Sequence, residues 1–189
     1  MIPLTRPGCP NPEALRTDYR HPANKAALQE ASFDKCMYCE SKVSHSYFGD
    51  IEHIRPKDQF PDLEFNWDNL GFVCAQCNNA KLNQWHHDTP YINPYDEDPS
   101  TDLAAVGAYV YHRSGSERGE VTWRDISLNR PALLERRSER INAIHALVDK
   151  VNRTHDPALR EALNAELDRE VQDHTPYSLV ARAALAALR

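Results

Sequence analysis

The chain has 189 residues, 41% hydrophobic and 26% charged, which suffices for one sizeable core, or a core with a small satellite, and argues against disorder. No apolar run approaches the roughly 20 residues that cross a bilayer, and the first residues contain no export-type apolar segment, so the expected location is cytoplasmic. A net charge of −6 excludes a protein that grips phosphates through an overall basic surface; contact with nucleic acid would need clustered cations or a partner.

Residues 1–22, rich in Pro and charge, read as an irregular arm, and a short helix is predicted over Pro22–Ser32 with Ala26, Ala27, Leu28 and Ala31 on its apolar side. Tyr47–Ile54 has strand character around a Gly-Asp turn. After Pro56 and Pro61 break the chain, Leu70–Val73 is an apolar run, and a helix is expected to start near Cys77 or Asn78 and to carry Lys81 and Trp85. The prolines of Tyr91–Ser100 make it an extended wrap. Ala108–His112 and Glu120–Ile126 read as two strands about a Ser-Gly-Ser-Glu-Arg-Gly turn.

The rest is helical. Pro131 opens a helix whose Leu134, Ile141, Ile144, Val148 and Val151 form an amphipathic stripe. Pro157–Val171 is a second helix, and Pro176–Leu188 a third with Thr175 as its N-cap. The Leu and Ala residues of 181–188 could be core or a docking face, so a homo-oligomer stays open. The expected class is α+β. The expected division is an arm and short helix over 1–32, a metal-clamped core over 33–90, and a wrap, hairpin and helical region over 91–189.

Four of the five cysteines stand as Cys36-x-x-Cys39 and Cys74-x-x-Cys77, with 34 residues between the pairs. Each such knuckle presents two thiolates, and two knuckles complete a tetrahedral Zn²⁺ site with no open position for chemistry. Zinc is therefore expected to be structural, and Cys9 a free thiol.

The segment tied off between the knuckles holds Glu52-His53, Arg55 and Asn69, and Asn78 and Lys81 follow the last cysteine. Hydrolysis of a phosphodiester needs a base for the attacking water and a cation against the developing charge. His53 is the expected base, because imidazole titrates near neutrality. Glu52 and Asn78 would hold Mg²⁺ or Mn²⁺ through oxygen. Asn69 would orient the His53 ring, and Lys81 and Arg55 would contact phosphate. Adjacent strand residues face opposite ways, so Glu52 and His53 share a site only if the strand ends or bulges there. Arg130, Arg136, Arg137 and Arg140 could follow a phosphate backbone, face a protein partner, or form an ordinary salt-bridged face with Glu135 and Glu139.

These residues resemble the HNH (ββα-metal) endonucleases. The resemblance implies a ββα-metal core, Glu52 and Asn78 on the catalytic cation, His53 as general base and Asn69 as the orienting asparagine. Asn78 stands where the family's name has its final histidine. Lys35–Glu40, Ile51–Lys57, Trp67–Leu70 and Leu128–Pro131 look like the PtuB-type HNH subunit of Septu and retron-associated antiphage systems over roughly residues 20–150. That likeness implies a DNA-cutting effector working with a PtuA-like ABC-type ATPase subunit. RNA as substrate, and an inert zinc-knuckle scaffold, remain the alternatives. Residues 33–85 carry five Lys/Arg against eight Asp/Glu, so the chain alone is expected to bind duplex weakly.

Overall fold

The computed structural model describes residues 1–43 and 48–189. The predicted strand beginning at Tyr47 therefore falls partly outside the described residues. The chain is α+β: among the described residues, two small antiparallel sheets are set among helices.

The N-terminal arm contains a single turn of helix, α1 (Pro12–Leu15), and then α2 (Pro22–Ala31), both opened by proline. Strand β1 (Asp50–His53) pairs with β2 (Leu70–Val73) so that Glu52 faces Gly71 and His53 faces Leu70. Gly71 is required by packing: a Cβ there would lie 2.2 Å from the Met37 sulfur. This close approach seats the first knuckle on β2, where Met37 N donates to Phe72 O at 3.0 Å. Helix α3 (Ala75–Lys81) begins directly after Cys74, two residues earlier than expected, and stops short of Trp85.

The strand predicted over Ala108–His112 is β4 (Tyr109–His112), but its partner is β3 (Leu103–Val106) and not Glu120–Ile126. Residues Glu117–Asp125 form α4, not a strand. The Ser116 side chain accepts from Gly119 N and caps the helix, and this local bond outweighs the strand-like alternation of Glu120–Ile126. Helices α5 (Pro131–Arg153), α6 (Pro157–Glu170) and α7 (Ser178–Ala186) follow the expected pattern. The last starts two residues late, because Tyr177 is left-handed (φ 57°) and Thr175 spends its hydroxyl on the carbonyls of Glu170 and Gln172.

One apolar cluster surrounds the cysteine knuckles, with Tyr38, Leu70 and Phe72 at 0% exposure, and a smaller one (Ile144, Leu167, Ala181, Leu185) joins α5, α6 and α7. Glu40 ties the two regions: it accepts from Ser178 Oγ at 2.8 Å and from the Met1 amine at 2.6 Å. Burial opposes its ionisation, but the Met1 ammonium and Lys35 outweigh that and hold it at about 2.

Candidate functional site

The knuckles converge. The sulfurs of Cys36, Cys39, Cys74 and Cys77 lie within 4.8 Å of one another, and Cys39 and Cys74 are 3.8 Å apart. Four Zn–S bonds of about 2.3 Å on a tetrahedron put sulfurs roughly 3.8 Å apart, so the donors fit zinc by type, number and spacing. Cys9 stands apart from the cluster, with its sulfur 3.6 Å from Asn24 Oδ1.

Strand β1 ends at His53, which resolves the alternation problem: Glu52 and His53 line one cleft of about 210 Å³ together with Asn78. The His53 ring is held from behind, its Nε2 lying 2.9 Å from the Glu64 carbonyl. A carbonyl only accepts, so Nε2 carries the proton and Nδ1 keeps the lone pair. Burial lowers the His53 pKa, against the raising effect of that carbonyl, which favours the neutral ring.

Asn69 does not perform the orienting task expected of it. Its Oδ1 accepts from Arg55 N at 2.8 Å, and its Nδ2 donates to Arg55 O at 2.9 Å and Leu63 O at 3.2 Å. It clamps the loop that carries Glu64, and so acts on the ring only through that loop.

Lys81 is a second correction. It does share the inner face of α3, but it is 0% exposed and cannot reach a phosphate. Its Nζ sits 2.5 Å from Glu52 Oε1 and donates to His53 O at 2.9 Å. Burial pushes Glu52 up to about 7, with Lys81 acting in the opposite direction. Asn78 donates through Nδ2 to Asp50 Oδ2 at 3.2 Å, which leaves its Oδ1 as a donor toward a cation. Glu52 and Asn78 thus offer oxygen ligands of the kind a hard divalent ion takes.

The arginines separate. Arg137 is 2% exposed and donates to Leu128 O at 2.8 Å and Ala108 O at 3.2 Å, so it braces the turn before α5 and is no phosphate contact. Arg140 is engaged by Glu170, through both its carboxylate and its backbone carbonyl, and exposed Arg136 by Glu139 at 3.0 Å. The salt-bridged face is the better description. Arg55 is exposed, its guanidinium 5.8 Å from the Phe60 ring and 5.7 Å from that of Trp85.

Sequence reasoning missed Tyr19 and Arg20. Both line the cleft, and the Tyr19 ring meets His53 edge-on at 4.5 Å. Nothing in the local pattern of the arm signals this, since the contact spans 34 positions. Lys57 was also given no role. It pairs with Glu64 at 2.8 Å, fixing the residue whose carbonyl holds the base, and lies 4.9 Å from the Tyr19 ring.

Residues 36–84 match the HNH endonuclease family. The chain is also 37% identical over 117 residues to the Septu protein PtuB of Bacillus thuringiensis, covering 54% of this chain and 46% of that one. It is 25% identical over 152 residues to the Septu protein PtuB of Bacillus mycoides (strain KBAB4), covering 64% and 52%. The chain spans about half the length of the curated relatives it matches. It is similar to HNH endonucleases over residues 36–84 and, over a longer stretch, to PtuB proteins.

Proposed function

From the HNH domain at residues 36–84, we propose that this chain is a metal-dependent endonuclease that hydrolyses phosphodiester bonds of DNA. The observation that carries the reading is the single cleft in which Glu52, His53 and Asn78 meet, with His53 presenting a lone pair at Nδ1. His53 Nδ1 takes the proton of an attacking water as its oxygen bonds to phosphorus and the opposite P–O ester bond breaks. Glu52 and Asn78 would hold Mg²⁺ or Mn²⁺. A cation held there would supply positive charge against the charge that builds on the phosphate and the leaving oxygen. Lys57, Arg20 and Tyr19 line the same cleft and give the substrate its nearest cations and ring.

Burial of Glu52 makes cation uptake pH-dependent. A carboxyl at about 7 is mostly protonated below that pH and is a ligand only above it. Mn²⁺ affinity is expected to rise about tenfold from pH 6 to pH 8, read by titration calorimetry, with the dependence lost in Glu52→Gln. Equal affinity at both pH values would remove Glu52 from the cation site.

The likeness to PtuB supports an antiphage effector acting in the cytoplasm with an ABC-type ATPase. The acidic core supports it too, because such a surface needs a partner to deliver duplex. The deciding experiment is cleavage of supercoiled plasmid with Mg²⁺ or Mn²⁺, with and without a PtuA-like ABC-type ATPase. Cutting that depends on the ATPase supports the whole reading. Cutting of RNA in place of plasmid would move the substrate, and no cutting of either by zinc-loaded, folded protein would leave a scaffold.

A further inference from the structure

Arg130 directly precedes α5, whose first residue is Pro131. Its guanidinium has no carboxylate partner among the described residues and turns to the cysteine cluster. Nη1 donates to Cys77 Sγ at 3.4 Å, and Nη2 donates to Cys39 Sγ and Cys74 Sγ at 3.7 Å each. Nε is held by Gln76 Oε1 at 2.9 Å, which fixes the plane of the fork. One side chain from outside the HNH match therefore touches three of the four sulfurs.

The sulfurs are not equally sheltered. Cys36, Cys39 and Cys77 are buried, while Cys74 is only partly so. Cys74 opens on a cleft of about 330 Å³ whose walls include Gln76, Lys42 and Arg130 itself. Four thiolates around a dication leave net negative charge on sulfur. A thiolate that is reachable is also the one that a proton, an electrophile or a competing chelator attacks first.

We propose that Arg130 is the lid of the zinc cluster: it covers Cys74, neutralises part of the thiolate charge, and sets the rate at which the metal is lost. N–H donation to sulfur draws on the lone pairs that would otherwise attack an electrophile. It also gives the charge a partner inside the fold, as outer-shell donors do at other metal sites. Arginine suits the task because its planar fork donates in several fixed directions at once, which an ammonium does not. The proposal stands on the cluster and is independent of what the HNH cleft cuts.

The test is the rate of zinc transfer from the loaded full-length chain to 4-(2-pyridylazo)resorcinol. Arg130→Gln is expected to release zinc roughly 10- to 100-fold faster than wild type, and Arg130→Lys to fall between. Arg136→Gln, which removes only an exposed pair with Glu139, should match wild type. Iodoacetamide labelling followed by peptide mass should mark Cys74 before Cys36, Cys39 or Cys77, and faster in Arg130→Gln. Should that variant fail to fold, Gln76→Ala frees Nε while leaving the charge and is expected to give a smaller acceleration. Release from Arg130→Gln within twofold of wild type, labelling that starts at another cluster cysteine, or a folded chain that takes up no zinc would each overturn the proposal.

Discussion

Alanine at position 53 is expected to lower metal-dependent cleavage by roughly 10²- to 10⁴-fold, the usual contribution of a positioned general base, with zinc content and fold retained. Only one ring nitrogen is free for the task, because Nε2 is committed to the Glu64 carbonyl. The substitution also leaves that carbonyl without its partner, at a cost of about 1–3 kcal/mol, so melting must be measured alongside activity. His53→Asn separates the two effects: its amide can still donate toward Glu64 but cannot take the proton. Both variants should therefore be inactive while the second is the more stable. Burial lowers the pKa of His53, so the base is available at neutral pH, and any acid limb above it belongs to cation uptake by Glu52. Activity of His53→Ala within tenfold of wild type, at saturating Mn²⁺, would remove His53 as the base.

What the sequence revealed and what it hid divide along the range of the interactions involved. The knuckles are legible because four cysteines at short spacing have one common use, and Glu52, His53 and Asn78 stand out because they lie between the knuckles or directly after the second. Helix α5, 23 residues long, is legible from the apolar repeat that runs from Leu134 to Val151. Lys81 was placed on the right side of α3 by its i+3 relation to Asn78, but that rule does not say what lies opposite. The opposing surface is β1, where the Glu52 carboxylate and His53 carbonyl take the ammonium out of reach of solvent. Arg137 fails likewise: a helical wheel groups it with Arg136 and Arg140, and only the β3–β4 turn and Leu128 reveal it as an internal donor. Glu120–Ile126 reads as a strand after a turn that ends at Gly119, yet the helix already starts at Glu117, and Gly119 packs so closely that a Cβ there would lie 2.4 Å from the Asp102 carbonyl. Helix, cap and neighbouring backbone settle that segment together. Tyr19 is the extreme case, a residue of the arm whose contact with the base exists only after the whole core has formed.

Breaking the zinc clamp is expected to have the largest effect on the fold. Cys77→Ser, or exhaustive chelation, should abolish cooperative melting of the region that carries Glu52, His53 and Asn78. The sheet beneath the site is two strands of four residues each, and such a pair is marginal alone. The first knuckle reaches β2 through Met37, Cys77 lies within α3, and the side chains packed around them are the chief apolar content of this region. Structural zinc binding contributes about 10–16 kcal/mol in small thiolate sites, against a net domain stability of about 5–15 kcal/mol. Loss of one buried ligand can therefore remove the whole margin. The separate cluster of Ile144, Leu167, Ala181 and Leu185 holds α5, α6 and α7 to one another without the metal. Far-ultraviolet circular dichroism should accordingly retain much of its helical signal after chelation, while near-ultraviolet bands from Tyr38, Trp67 and Trp85 collapse. A single transition lost from both regions at once would mean that Glu40 and Arg130 couple the helices to the clamp more tightly than their own packing holds them. A melting temperature unchanged by Cys77→Ser would show that the apolar core, not the metal, carries the site.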